Sequence, residues 1–159
     1  MRAAILTIST SRAAGDGADD SGDALADFAT TLGIEVVGRE VLRDDRELIA
    51  ERLVHWADED PCDLVLTTGG TGFSPNDLTP EATRSVIERE APGIPEAMRA
   101  ASRPHTRHWM LSRAVAGIRG ATLIVNFPGS PKSIGEAGEA IGAALPHALE
   151  LLAGKPSAH

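Results

Sequence analysis

The chain has 159 residues, enough for one domain that buries about two-thirds of the surface its unfolded form exposes. With 42% hydrophobic and 24% charged residues it is too apolar for extended disorder, and its apolar runs fall short of the roughly 18 residues of a membrane span. A net charge of −8 argues against nucleic acid, whose phosphate backbone demands a basic face.

In chain order, short apolar runs alternate with amphipathic stretches of helical length, the pattern of a mostly parallel α/β sheet with helices on both faces. The start, Met1 to Ile8, carries one charged side chain and no small-residue cleavage site. It reads as a first strand, Ala3 to Ser9, rather than a signal peptide. A polar, Gly- and Asp-rich stretch follows from Ser11 to Gly22. Asp23 to Leu32 places Ala24, Leu25, Phe28, Ala29 and Leu32 on one helical face, and Gly33 ends it. Ile34 to Leu42 is a second strand. Asp44, with Glu47 three residues on, has capping-box spacing ahead of a helix with Leu48, Ile49, Leu53 and Trp56 on its apolar face.

Asp63 to Thr67 is a third strand, nearly all apolar and so expected at the centre of the sheet. It runs into Thr68-Gly69-Gly70-Thr71-Gly72. Thr79-Pro80-Glu81 predicts a helix to about Glu90, with Thr79 as N-cap and Pro80 in the first turn. Pro92 and Pro95 turn the chain, and Glu96 to Ser102 is a short helix. Ala114 to Ile118 and Ala121 to Asn126 predict a hairpin at one edge of the sheet. Ser130 and Pro131 then open a last helix, which Pro146 interrupts. One domain over residues 1–159 is expected.

A single cysteine, Cys62, excludes an internal disulfide and fits a reducing, cytoplasmic setting. It follows a proline before an apolar strand and reads as structural. Five scattered histidines with one cysteine make no zinc site, and none of the histidines is assigned to catalysis. Charge is uneven: residues 1–83 hold 6 basic and 17 acidic side chains, residues 84–159 hold 9 and 6. That fits a solvated acidic face, and equally a cleft whose carboxylate wall faces an arginine wall around a metal-bound polyanion.

Two loops follow apolar strands, at the sheet edge where open α/β folds bind ligands. In Gly69-Gly70-Thr71-Gly72 the missing Cβ atoms let successive amides face one hollow and cradle an anion. The same spacing serves a purely structural turn. In Pro128-Gly129-Ser130-Pro131-Lys132, Ser130 caps a helix whose positive end, with Lys132, attracts anions; for such a loop taken alone, ordinary capping is the readier explanation. Asp44 and Asp77 either make local hydrogen bonds, an N-cap and an Asx turn, or together hold Mg²⁺ beside a nucleotide. Asp45 could replace Asp44 in either role. Ser9, Ser11 and Arg12 end the first strand near the same edge. Arg99, Arg103, Arg107 and Arg113 are available cations. Trp109 and Met110 lie in a non-periodic stretch and pack either in the core or between subunits.

Taken together, Leu66 to Gly72 followed by Asn76-Asp77-Leu78-Thr79-Pro80-Glu81-Ala82-Thr83 resembles the molybdenum-cofactor biosynthesis proteins of the MogA/MoaB type, with which the gephyrin G domain is grouped. Gly93-Ile94-Pro95-Glu96-Ala97-Met98-Arg99, Leu111-Ser112-Arg113-Ala114 and Leu123 to Lys132 continue the match in order over nearly the whole chain. The resemblance implies a three-layer molybdopterin-binding fold, a homotrimer, and transfer of AMP from Mg-ATP to the terminal phosphate of molybdopterin with release of pyrophosphate. The product would pass to a metal-insertion enzyme. Asp44 and Asp77 fall on the family's functional carboxylates and are the implied catalytic and Mg²⁺-binding pair. Thr68, Gly69, Gly70, Thr71 and Gly72 fall on a segment implied to bind substrate or nucleotide, as do Pro128, Gly129, Ser130 and Lys132. Ser9, Arg12, Glu96, Arg99, Ser112 and Arg113 complete the implied contacts. Arg43 stands before Asp44 where relatives often carry proline. The alternative implied function is a MoaB-like molybdopterin-binding or scaffold protein without transfer activity.

Overall fold

Side chains alternate across the first strand, β1 (Arg2–Ile8): Ala3 and Ile5 enter one apolar cluster, Ala4, Leu6 and Ile8 another. A strand buried on both sides needs helices on both faces, which makes three layers. The structure, a computed structural model, describes residues 1–154, so the last residues of the expected domain lie outside the described ones. β1 is followed by α1 (Thr10–Ala13), α2 (Asp20–Thr31), β2 (Glu35–Leu42), α3 (Arg46–Val54) and a π-helical turn over His55–Glu59. Then come β3 (Leu64–Thr68), α4 (Thr79–Val86), β4 (Arg89–Glu90), α5 (Gly93–Ser102) and a 3₁₀ turn over Trp109–Leu111. β5 (Ala116–Arg119), β6 (Thr122–Phe127), α6 (Pro131–Ile141) and α7 (Leu145–Leu152) complete the chain.

The sheet order is β2-β1-β3-β6-β5-β4. β2, β1, β3 and β6 run parallel, whereas β5 pairs antiparallel with both β6 and β4. β3 is buried along its whole length, as its apolar run predicts. The predicted hairpin is β5–β6, but Arg89–Glu90 pairs outside it and takes the edge. Leu25, Met98, Ile134 and Leu149, from α2, α5, α6 and α7, pack with Ile5, Leu66 and Phe127 on one face. Ile49, Leu53, Ala82 and Val86, from α3 and α4, pack with Leu6, Val65 and Ile124 on the other. Each fully enclosed side chain of this size stabilises the fold by about 1.5–3 kcal/mol.

Several boundaries shift for identifiable reasons. α2 starts at Asp20 rather than Asp23, because Asp19 supplies its cap by accepting from the Gly22 amide. The polar stretch before it contains one helical turn, α1, capped by Ser9. α4 ends at Val86 rather than near Glu90, since Arg89–Glu90 is drawn into the sheet. α5 starts at Gly93, earlier than expected. Pro146 sits in the first turn of a separate helix, α7, where a missing N–H costs nothing. Met110 is 61% exposed and does not join the core. No helix among the described residues is long and apolar enough to cross a membrane.

Candidate functional site

Strand register brings the site together. Ile8 pairs with Leu42, and the Ser9 amide donates to the Leu42 carbonyl at 2.8 Å, so the parallel ladder runs past both strand ends. Two residues further, Thr10 after β1 stands opposite Asp44 after β2. The Thr10 amide and hydroxyl donate to Oδ2 of Asp44 at 3.0 and 2.7 Å, and the Asp44 amide donates back to Thr10 Oγ1 at 3.0 Å. The capping role expected of Asp44 belongs instead to Asp45, whose Oδ1 accepts from the Leu48 amide at 3.0 Å. Arg43, in the place where relatives often carry proline, grips Oδ2 of Asp45. That cap and that arginine hold the Asp45 carboxyl below its ordinary value. Both Asp45 oxygens are thereby engaged, which leaves Asp44 as the carboxylate at the strand end.

The glycine loop leaves β3 beside it. A Cβ on Gly69 would lie 2.3 Å from the Ile8 carbonyl oxygen, and φ there is +93°. Gly70 has φ +64°, and a Cβ on it would meet Thr79 Oγ1 at 2.4 Å and Asp44 Oδ1 at 3.5 Å. Glycine is therefore required at both positions. Thr79, expected as a cap, instead ties α4 to the loop: its hydroxyl donates to the Gly69 carbonyl and its amide to that of Gly70. The amides of Gly70, Thr71 and Gly72 find no acceptor among the described residues. Such a run of free donors is an anion-binding surface.

Asp77 meets the same loop at Gly72, two residues past Gly70. Its Oδ2 would lie 2.9 Å from a Cβ on Gly72 and accepts from the Ser74 amide at 2.8 Å. So the two carboxylates, 33 positions apart in the chain, both border the glycine hollow. Each has one oxygen held by the protein and one left open. No group of three or more His, Cys, Asp or Glu side chains converges among the described residues. Two carboxylates beside an anion cradle suit a hard divalent ion such as Mg²⁺, which commonly takes one or two carboxylates and completes its shell with water and phosphate oxygens.

Arg113, expected to face an anion, has different partners. Its Nε donates to the Gly72 carbonyl at 2.7 Å and its Nη2 to the Asp77 carbonyl at 2.6 Å, while Nη1 pairs with Glu81. Its own amide donates to the Thr71 carbonyl. The guanidinium thus binds the glycine loop, the Asp77 loop and α4 together. Its charge holds the Glu81 carboxyl below its ordinary value, and Glu81 holds the guanidinium above its own.

The second loop lies against the first. Thr68 donates its hydroxyl to the Pro128 carbonyl at 2.7 Å, Ser21 donates to the Gly129 carbonyl at 2.7 Å, and a Cβ on Gly129 would stand 3.6 Å from Gly69 Cα. Ser130 caps α6, with Lys132 exposed in its first turn. Beneath both loops Asn126, fully buried, donates to Thr67 Oγ1 and Thr83 Oγ1 and accepts from the Val115 amide. A cavity of about 160 Å³ adjoins this loop, walled by Arg99, Thr106, His108, Trp109, Ser112, Pro128 and Ser133. Arg99 spans it to the Ser112 and Ala114 carbonyls at 3.5 and 3.3 Å. Glu96 is exposed one turn earlier on α5 and lines none of this cavity. Arg12 turns its Nε to the Ala18 carbonyl and braces the loop after α1.

From β2 to β6 is three strand spacings, roughly 14 Å. Along that edge lie, in order, Asp44, the β1 end, the glycine loop with Asp77, and the Pro128 loop with its cavity. The carboxylates, the two loops and the cavity thus share one elongated edge. Thr10, Ser74, Thr79, Glu81 and Asn126 support these groups from behind, and the sequence assigns none of them to the site. Thr79, Glu81 and Asn126 lie inside motifs that could have flagged them.

Residues 4–147 match the family described as "Probable molybdopterin binding domain". The chain is 47% identical over 115 residues to the molybdopterin adenylyltransferase of Helicobacter pylori, a stretch covering 72% of this chain and 65% of that protein. It thus spans less than two-thirds of that relative's length. It is 37% identical over 169 aligned positions to the molybdopterin adenylyltransferase of Escherichia coli, covering 97% and 86% of the two chains. Among solved structures it is similar to the molybdopterin biosynthesis enzyme MoaB of Thermus thermophilus, with 45% identity, 98% of each chain covered and a TM-score of 0.91.

Proposed function

The chain belongs to the MogA/MoaB molybdopterin-binding family, and from that premise we propose that it is a molybdopterin adenylyltransferase acting with Mg-ATP. The observation that supports this reading is that Asp44, past the end of β2, lies against Gly70 and Asp77, ahead of α4, lies against Gly72 of one glycine loop whose amides find no acceptor among the described residues. A terminal phosphate oxygen of molybdopterin attacks the α-phosphorus of ATP. A new P–O–P linkage forms, and pyrophosphate leaves with the electrons of the broken bond.

Both reactants are anionic, so positioning and charge neutralisation dominate the barrier. Mg²⁺, when bound, withdraws charge from the phosphate oxygens. Asp44, through Oδ1, and Asp77 would hold that ion beside the glycine loop. Gly70, Thr71 and Gly72 donate amides to phosphate oxygens. Arg113 keeps the loop and Asp77 in register, and Lys132 supplies a free positive charge at the α6 end. The cavity beside Arg99, Trp109 and Ser112 takes the pterin, whose planar edge matches its polar groups and aromatic wall. The protein works as a homotrimer and hands its product to a metal-insertion enzyme.

The test is adenylylation of purified molybdopterin, with Asp77→Asn and Asp44→Ala measured beside the wild type. Each substitution should lower kcat by at least about 100-fold. Wild-type turnover in Asp77→Asn would reject the metal assignment. Pterin binding without any turnover or nucleotide binding in the wild type would leave a carrier or scaffold in place of an enzyme.

A further inference from the structure

We propose that Thr10 is a positioning residue that fixes how Asp44 meets its metal, so that Asp44 gives one oxygen, Oδ1, and never chelates through both. The inference rests on the metal pair proposed above and specifies its coordination. Three hydrogen bonds close a ring between the two residues. The Thr10 amide and hydroxyl both donate to Oδ2, at 3.0 and 2.7 Å, and the Asp44 amide donates to the same hydroxyl oxygen at 3.0 Å. The hydroxyl therefore gives its proton to the carboxylate while its lone pair takes the Asp44 N–H. That leaves it one sense of rotation.

The consequence is directional. Oδ2 is turned back towards the β1 end. Oδ1 is the oxygen directed at the glycine loop, 3.5 Å from where a Cβ on Gly70 would stand. Asp77 is held differently: its Oδ2, the oxygen nearest Gly72, accepts a single hydrogen bond, from the Ser74 amide. Asp44, with both acceptor sites of Oδ2 filled, thus offers Oδ1 alone, which suits the tight six-oxygen shell of Mg²⁺ better than the larger, bidentate-tolerant shell of Ca²⁺. Thr10 touches no reacting atom. It acts through Asp44, by removing rotamers in which both oxygens face the ion.

The closing experiment uses Mn²⁺ as a spectroscopic stand-in for Mg²⁺, titrated into the full chain with ATP present and followed by electron paramagnetic resonance. The variants are Thr10→Val, which keeps shape and amide but removes the hydroxyl, and Thr10→Ser, which keeps the hydroxyl. Asp44→Ala is the control. Thr10 is exposed, so both variants should fold, and thermal unfolding checks this. Thr10→Val should weaken Mn²⁺ about 10- to 100-fold, the usual effect of losing a partner that orients a metal ligand. Thr10→Ser should stay within about threefold of wild type. In turnover, Thr10→Val should raise the Mg²⁺ concentration needed for half activity while kcat at saturating Mg²⁺ changes little. The proposal is overturned if Thr10→Val binds Mn²⁺ like wild type while Asp44→Ala does not, or if Thr10→Ser loses as much as Thr10→Val. Failure of the wild type itself to bind Mn²⁺ would instead reject the metal pair.

Discussion

Replacing Arg113 by Met separates two roles that the sequence leaves entangled, anion binding and loop bracing. The guanidinium donates to the Gly72 and Asp77 carbonyls and pairs with Glu81, with its side chain 32% exposed. Hydrogen bonds from a charged donor are worth about 1.5–3 kcal/mol each when buried, and partial exposure with solvent competition reduces that. Loss of all of them should destabilise the fold by about 2 kcal/mol, read as a lowered urea midpoint with unchanged slope. The functional effect should be larger. Asp77 would lose the contact that sets its loop, and a shift of about 1 Å in a positioned group can cost roughly 100-fold in rate. The assay pairs urea unfolding with steady-state adenylylation at several Mg²⁺ concentrations. Arg113→Lys keeps the charge but cannot reach both carbonyls, so it should recover only part of either quantity. If Arg113→Met were as stable as wild type and raised only the KM for ATP, Arg113 would be an anion contact and the bracing role would fail.

Asp45→Ala should lower stability by about 1 kcal/mol through loss of the α3 cap, with adenylylation nearly unchanged; a collapse of Mg²⁺-dependent activity would give Asp45 the role assigned to Asp44. The Glu81 carboxyl is depressed by Arg113, so its contribution is present above the unfolded value of about 4.3 and lost as pH falls through the lower folded value. Glu81→Gln should accordingly flatten the acid limb of a stability–pH curve below about pH 5, and an unaltered limb would count against the pair. The Cys62 thiol is buried and pushed up to about 11, so it should react with a thiol reagent only as the protein unfolds. Stoichiometric labelling of the native protein would contradict its burial. Sedimentation of the native protein should give the mass of three chains, and a monomer would remove the trimer.

The layers are legible because strands and helices announce themselves locally: the apolar run at Leu64–Thr68 reads as a central strand and becomes one. The glycine loop is legible as a motif, but its steric reason emerges only when Ile8 is found against Gly69. Capping-box spacing in the sequence belongs to Asp44, with Glu47 three residues on, yet the cap falls to Asp45. The turn geometry and the pull of Arg43 select Asp45. Arg113 reads as a free cation because its partners, Gly72, Asp77 and Glu81, lie more than 30 residues away. Thr10 is invisible for the same reason: strand register, not sequence spacing, brings it to Asp44. Polar contacts between distant segments depend on how the sheet is threaded, and no local pattern encodes them.

Two aspartates gripping one divalent ion over the glycine loop should be visible as such in crystals soaked with Mn²⁺ and ATP, by anomalous diffraction. A single strong peak is expected within about 2.3 Å of Asp44 Oδ1 and of an Asp77 carboxylate oxygen, with ATP phosphates completing the shell beside Gly70–Gly72. A peak bound by other side chains, or nucleotide phosphates seated in the hollow with neither aspartate touching the ion, would contradict it.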